Sequence, residues 1–238
     1  MRPDTWHLFV DPAILRFFGE GLLQTVLLSV AAVALSFTVG LVFALGRLSM
    51  RWWLRWLSIA YVESIRALPV LLLIVYFGIK GSSLLRPFFG EGFELPRFWA
   101  GVFGLAMYTS AILAEIIRAG ILSLPRGQTE AARALGLSHA RALRYVILPQ
   151  ALRLMVPAMM AQLTTIIKDT SLVATIGVAE LVRQGRILYT QYFNPIEVFL
   201  FIGVIYFVIC FGLSQASRRL ELGRAPRIQD VDLRDLAA

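Results

Sequence analysis

The chain has 238 residues, 58% of them hydrophobic and 16% charged, and its apolar residues fall in blocks long enough to cross a bilayer, which excludes a water-soluble core and leaves one integral membrane domain. A net charge of +8 raises nucleic acid as a partner, but the arginines gather in the short gaps between apolar blocks, a pattern that sets topology and excludes nucleic-acid binding. The single cysteine, Cys210, lies within an apolar block, and His7 and His139 are far apart in the chain, so no internal disulfide, metal site or cofactor is implied.

Residues 1–20 mix Trp6, His7, Phe9, Phe17 and Phe18 with Asp4, Asp11 and Arg16, and they read as an extracytoplasmic tail or interfacial helix ahead of a transmembrane domain over 21–217. The first apolar block, residues 22–45, is too long for a signal core and has no basic cluster before it. Arg47, Arg51 and Arg55 follow, interleaved with Trp52, Trp53 and Trp56, as suits the cytoplasmic headgroup region, so the N-terminus is outside. The second block, 57–79, contains Glu63, Arg66 and Pro69, and Pro69 predicts a kink in one continuous helix. A charge near the centre of a spanning helix costs about 2.5–3.5 kcal/mol. Glu63 and Arg66 therefore lie near the interface, pair with each other at i,i+3, or face an aqueous path.

Residues 80–97 form an outer loop, and the third block, 98–122, carries Glu115 and Arg118 toward its cytoplasmic end. A basic, Ala-rich segment at 123–149 follows, flanked by apolar runs, so it sits in water. Pro125 and Gly127 make a turn, Thr129 caps a short helix opening with Glu130, and Ala131 and Ala132 keep one face small. Gly136 ends that helix, and Ser138 caps a second one with His139, Arg141 and Arg144 on its polar side. The result is a helical elbow whose small face admits a partner's backbone, or an ordinary loop with an interfacial helix.

The fourth block, 149–176, is interrupted by Arg153, Pro157, Thr164, Thr165, Lys168 and Asp169. Residues 177–195 form a second outer loop, the fifth block covers 196–213, and a cytoplasmic tail over 218–238 carries Arg218, Arg219, Arg224, Arg227 and Arg234. In this scheme about fourteen basic residues lie inside and about seven outside, a twofold excess that supports five helices with the N-terminus out and the C-terminus in.

Several separated words in this chain resemble a known family. Glu130-Ala131-Ala132, Gly136 and then Leu148-Pro149 resemble the motif of bacterial ABC importer permeases whose loop docks on an ATPase subunit. Gly127-Gln128, Leu148-Pro149-Gln150-Ala151 with Arg153, and Lys168-Asp169-Thr170-Ser171-Leu172 resemble the polar amino acid branch, and the likeness covers residues 61–221. The resemblance implies an all-α, five-helix type I importer permease in the cytoplasmic membrane, working by alternating access. It implies an ATP-binding subunit dimer docked through Glu130, Ala131, Ala132, Arg133 and Gly136, and a second permease subunit, identical or sibling. It also implies an extracytoplasmic substrate-binding protein delivering a polar amino acid to the outer loops.

The sequence departs from the family pattern at Arg66-Ala67-Leu68-Pro69, where Arg-Gly-Thr-Pro and a following glutamine are expected. A tyrosine often precedes the counterpart of Ala114-Glu115; here Ile112 stands there, with Tyr108 a turn earlier. Arg-x-x-Pro without Gly-Thr resembles some acidic amino acid permeases, which makes glutamate or aspartate the first guess and Arg66 the partner for its carboxylate.

The chain has no Gly-x-x-x-x-Gly-Lys-Ser/Thr loop, and its only lysines are Lys80 and Lys168, so it is not itself an ATPase. An amino acid carries both charges, so a path needs fixed partners of both signs. Glu63, Arg66, Glu115, Lys168, Asp169, Thr170 and Ser171 are the candidates. Lys168 beside Asp169 offers both signs at once, as substrate contact, gate or structural strut. Pro69, Pro149 and Pro157 shape and hinge helices. A proton-coupled secondary transporter using Glu63, Glu115 or Asp169 as relay is a rival, but five spans do not divide into two equal repeats. A non-transporting scaffold is another, though it has no need of charge within its helices.

Overall fold

The computed structural model describes residues 6–222. Every regular element among them is helical, and five helical stretches are long and apolar enough to cross a membrane. In chain order the elements are α1 (Pro12–Arg47), α2 (Trp52–Arg66), α3 (Val70–Phe89), α4 (Arg97–Leu122), α5 (Arg126–Ala134) and α6 (His139–Ala142). A π-helical turn over Leu143–Ile147 leads into α7 (Leu148–Asp169), a 3-10 stretch covers Thr170–Ile176, and α8 (Leu181–Tyr192) and α9 (Pro195–Leu222) follow. The spans are α1, α3, α4, the run His139–Ile176, and Pro195–Arg219 within α9.

Helix α4 is the axis, packed by α1 along most of its length and by α2, α3 and α7 elsewhere. The reason lies in α1, which is apolar all round but buries one stripe of small residues at three- and four-residue spacing, from Gly21, Thr25 and Ser29 through Ala32, Ser36 and Gly40 to Ala44. Small side chains let two backbones approach until dispersion contacts hold them, the usual means of helix association in lipid. A methyl group on Gly40 would stand 2.9 Å from the carbonyl oxygen of Ser110. The hydroxyls in the stripe do not go unpaired: Thr25 donates to the Gly21 carbonyl at 3.1 Å and Ser29 to that of Thr25 at 2.8 Å.

Three differences from the sequence reading follow from local chemistry. The first concerns the start: residues 12–20, expected as part of a tail or an interfacial helix, are the opening turns of a 36-residue α1, set by Pro12 at the first position and by Asp11, whose carboxylate accepts from the Ala13 amide at 2.8 Å. Trp6–Val10 forms a 3-10 turn that packs Phe9 against Phe18 and Phe201. The second concerns Pro69, which separates two helices instead of kinking one. Pro69 lacks an N–H and its own backbone is extended, so α2 ends at Arg66 and α3 restarts at Val70. The third concerns the loops. α3 continues through Pro87 to Phe89, and α8 occupies most of 177–195.

The break at 67–69 falls between two buried clusters. α2 runs back along α1, stacking Tyr61 on Phe43 with ring centroids 3.8 Å apart, and the Tyr61 hydroxyl meets Ser110 Oγ at 2.7 Å. Val62 and Ile65 of α2 join Ala44, Ile117 and Met155. Ile74 of α3 joins Leu28, Leu105 and Val173 instead. A methyl group on Gly104 would lie 2.6 Å from the Ile74 Cα, so α3 and α4 touch backbone to backbone. A third cluster, of Phe18, Leu181, Leu188 and Val198, closes the end opposite the elbow.

α9 runs past the expected 196–213 to Leu222, so Arg218 and Arg219 stand on it. Arg224, Arg227 and Arg234 of the expected tail lie outside the described residues.

Candidate functional site

The elbow is built as a short helix held at arm's length. α5 opens at Arg126 with Pro125 as its N-cap, not at Glu130 with Thr129 as cap, and the Gln128 amide donates to the Pro125 carbonyl at 3.0 Å. It ends in a Schellman turn: Gly136, at φ +81°, donates to the Arg133 carbonyl at 3.0 Å, and Leu137 donates to that of Ala132 at 3.2 Å. Arg133 adds a hydrogen bond from Nη1 to the Leu137 carbonyl at 3.1 Å. Ser138 caps α6, accepting from the Arg141 amide at 3.4 Å. Pro149 is the second residue of α7. A proline has no N–H and its ring would crowd the carbonyl four residues back in regular α geometry, and the chain takes the wider π turn immediately before α7. Pro157 lies inside α7.

Within α5 only Ala132 is buried, and Ala142 and Ile147 are buried farther along the elbow. Glu130, Ala131 and Arg133 are exposed, and Leu135, a large apolar side chain, is 84% exposed. Gln150 Nε2 ties the elbow to α7, donating to Gln128 Oε1 at 3.1 Å and to the Val146 carbonyl at 2.9 Å.

The sequence-picked path residues divide into two groups. Glu63, Arg66 and Glu115 come together near the elbow end, where Arg47 and Arg118 pair with the two glutamates. Arg47 Nη1 lies 2.8 Å from Glu115 Oε2 and 3.2 Å from Glu63 Oε1, and Arg118 Nε donates to Glu115 Oε1 at 3.0 Å. The Arg47–Glu115 contact is off the N–H axis and acts as an ion pair. Glu63 thus pairs across helices with Arg47 and not with Arg66 at i,i+3. Arg66 is in no ion pair among the described residues. It lines a groove of about 460 Å³ along one face of α4, with Tyr108, Ile112, Glu115, Ile116 and Ala119.

Lys168, Asp169, Thr170 and Ser171 sit at the other end of the bundle, where α7 gives way to the 3-10 stretch. Thr170 is buried, and Tyr206 links its hydroxyl with that of Thr25. Thr25 and Arg47 are about 33 Å apart along α1 at 1.5 Å per residue, so the two groups cannot touch one small molecule together. Lys168 is exposed and Asp169 half-buried, with no ion pair to either among the described residues.

Two residues escaped the sequence reading. Arg47 counted only as a topology signal, since nothing in its neighbourhood names partners 16 and 68 positions away. Glu180 lay in an assumed loop. It is fully buried and caps α8, its two oxygens accepting from the Arg183 amide at 2.7 Å and the Val182 amide at 2.9 Å. Burial is the main cause that pushes its carboxyl up to about 7, against the opposing pull of those amides. An acidic residue directly ahead of the apolar pair Leu181-Val182 was the available signal.

Comparison with known proteins places this architecture. Residues 36–223 match the family model described as binding-protein-dependent transport system inner membrane component. The chain is 35% identical to a probable glutamine ABC transporter permease of Bacillus subtilis, covering 86% of this chain and 91% of that one. It is 33% identical to the glutamate/aspartate import permease of Escherichia coli O6:H1, covering 84% and 90%. The solved structure of an amino acid ABC transporter with histidines superimposes with a TM-score of 0.76 at 36% identity, over 87% of this chain and 94% of that one. The methionine ABC transporter in its inward-facing form shares the fold, with a TM-score of 0.68 at 21% identity. The five spanning helices, the elbow between the third and fourth of them and these likenesses lead to one assignment: the chain belongs to the family of binding-protein-dependent transport system inner membrane components, as an ABC importer permease of the amino acid type.

Proposed function

We propose that this chain carries a polar amino acid into the cytoplasm, glutamate or aspartate before others, as one half of an alternating-access pathway driven by a separate ATPase. The observation that carries the reading is the groove on α4: Arg66 lies in it without a carboxylate partner, while both nearby glutamates are occupied by Arg47 and Arg118. Arg66 is exposed at the groove, where an unpaired guanidinium can receive a carboxylate through paired hydrogen bonds. The relatives named for glutamate and glutamine agree with it.

The ATPase dimer docks at the elbow, where exposed Glu130 and Leu135 give a charged and an apolar contact. A second permease subunit completes the pathway. With the N-terminus outside and the C-terminus inside, the far end, including α8, receives an extracytoplasmic binding protein. Closure of the ATPase pair on ATP shifts the two permeases toward the outward-open state, and hydrolysis resets them.

Gentle copurification from native membranes, followed by reconstitution with the companion ATPase and binding protein, tests this. ATP-dependent uptake of labelled L-glutamate or L-aspartate, lost when the ATPase is omitted, is the expected result. Uptake driven by a proton gradient without ATP would overturn it in favour of a secondary transporter.

A further inference from the structure

The charges around the α4 groove can be counted. Glu63 and Glu115 contribute two negative charges, and Arg47, Arg66 and Arg118 contribute three positive ones. Arg47 is the member that decides the sign. It comes from the last position of α1, reaches both carboxylates at once, and is half-enclosed between α1, α2 and α4. Arg118 occupies Oε1 of Glu115, and Arg47 faces Oε2. The only glutamate lining the groove is thus covered on both oxygens, and Arg66 is left as the one uncompensated group among these five.

We propose that Arg47 sets the substrate charge preference of this permease: by occupying Glu115 and Glu63 it keeps the groove net positive, so that Arg66 admits an anionic side chain and a cationic one is rejected. The inference rests on the reading of the groove as the substrate path. Rejection follows because a cationic ligand would face Arg66 with no free carboxylate to receive it, and like charges at short range repel. Without Arg47 the count falls to zero, Glu63 is released, and Glu115 keeps a single partner. The groove then has an acceptor for an ammonium or guanidinium.

The test is ligand binding to the permease–ATPase complex without the binding protein, so that the permease's own selectivity is read. L-Glutamate, L-glutamine and L-arginine are the probes, competed against labelled L-glutamate and, separately, labelled L-arginine. In the wild type the order is glutamate, glutamine, arginine. Arg47→Gln weakens glutamate by about tenfold, strengthens arginine and leaves glutamine little changed, and Arg47→Lys restores the original order. Glu115→Gln keeps Arg47 and raises the positive excess, so it moves glutamate the opposite way, toward tighter binding. Opposite shifts from two variants of one ion pair are not the signature of a merely structural contact, and Glu115→Gln keeps the question decidable if Arg47→Gln fails to fold. Equal loss of all three ligands in Arg47→Gln, or an unaltered order in both variants, overturns the role of Arg47 while the path reading stands. A wild type that binds none of the three overturns both.

Discussion

Arg47 and Glu115, 68 positions apart in sequence, meet with Nη1 2.8 Å from Oε2. Through that contact the end of α1 is fastened to α4, and through Glu63 to α2 as well. The two carboxylates differ in setting, since Glu63 is 56% exposed and Glu115 only 25%.

Their removal should therefore differ in cost. Glu115→Gln leaves Arg118 without an ion-pair partner and Arg47 with only the exposed Glu63, and is expected to destabilise by about 1–3 kcal/mol. Glu63→Gln, at a wet position, is expected to cost under about 1 kcal/mol. Thermal unfolding of the purified protein in one detergent checks the order, and equal shifts would contradict it.

The elbow offers a functional separation. Glu130→Lys reverses an exposed charge without touching the bundle, and Gly136→Asp forces a side chain onto φ +81°, which costs about 1–2 kcal/mol and disturbs the Schellman turn. Both variants should insert normally and reach the membrane in wild-type amounts, yet lose ATP-driven uptake. Retained uptake in either would remove the elbow from the coupling route.

Backbone contact between α3 and α4 makes Gly104 sensitive. Gly104→Ala places a methyl group 2.6 Å from the Ile74 Cα, which neither helix can clear without shifting, and overpacking of this kind costs about 1–3 kcal/mol. Melting temperature and monodispersity should both fall. Gly212→Ala, where nothing lies within 4 Å of the added methyl, is the control and should be neutral.

Glu180 predicts a pH dependence. Its carboxyl in the folded protein titrates at about 7, above the ordinary value of 4.5, so the native state holds a proton that the unfolded state releases. Stability therefore falls as pH rises between about 4.5 and 7, by up to roughly 3 kcal/mol, and levels off above. Unfolding measured across pH 5–8 should show this slope, and Glu180→Gln should flatten it. An identical slope in the variant would assign the effect to other groups.

Much of this protein was legible without coordinates, and the reason is solvent. Lipid tolerates only helices and closed barrels, whose backbones are satisfied internally, and long continuous apolar blocks select helices and fix the number of crossings. The third block, 98–122, and α4 agree to within a residue, and Gly136 and Ser138 mark the elbow's turn and second cap through backbone chemistry that is local. The same logic gave α1 its existence but not its inward face. That face is a stripe of Gly, Ala, Ser and Thr, invisible to any hydrophobic periodicity because both faces are apolar.

What only the tertiary structure decided are the relationships between distant side chains. Composition can say that Glu63, Arg66 and Glu115 need partners, and proximity in sequence offers only Arg66 at i,i+3 to Glu63, whereas the break at Pro69 and the packing of α2 along α1 bring Arg47 to Glu63. Lys168 and Asp169, adjacent in sequence to each other, were separated from that group by the length of the bundle. Glu180 became a buried cap because α8 folds down between α1 and α9. Local sequence sets where a helix starts, stops and enters lipid; which charges meet depends on how helices pack, and packing in lipid is settled by small-residue contacts among elements far apart in the chain.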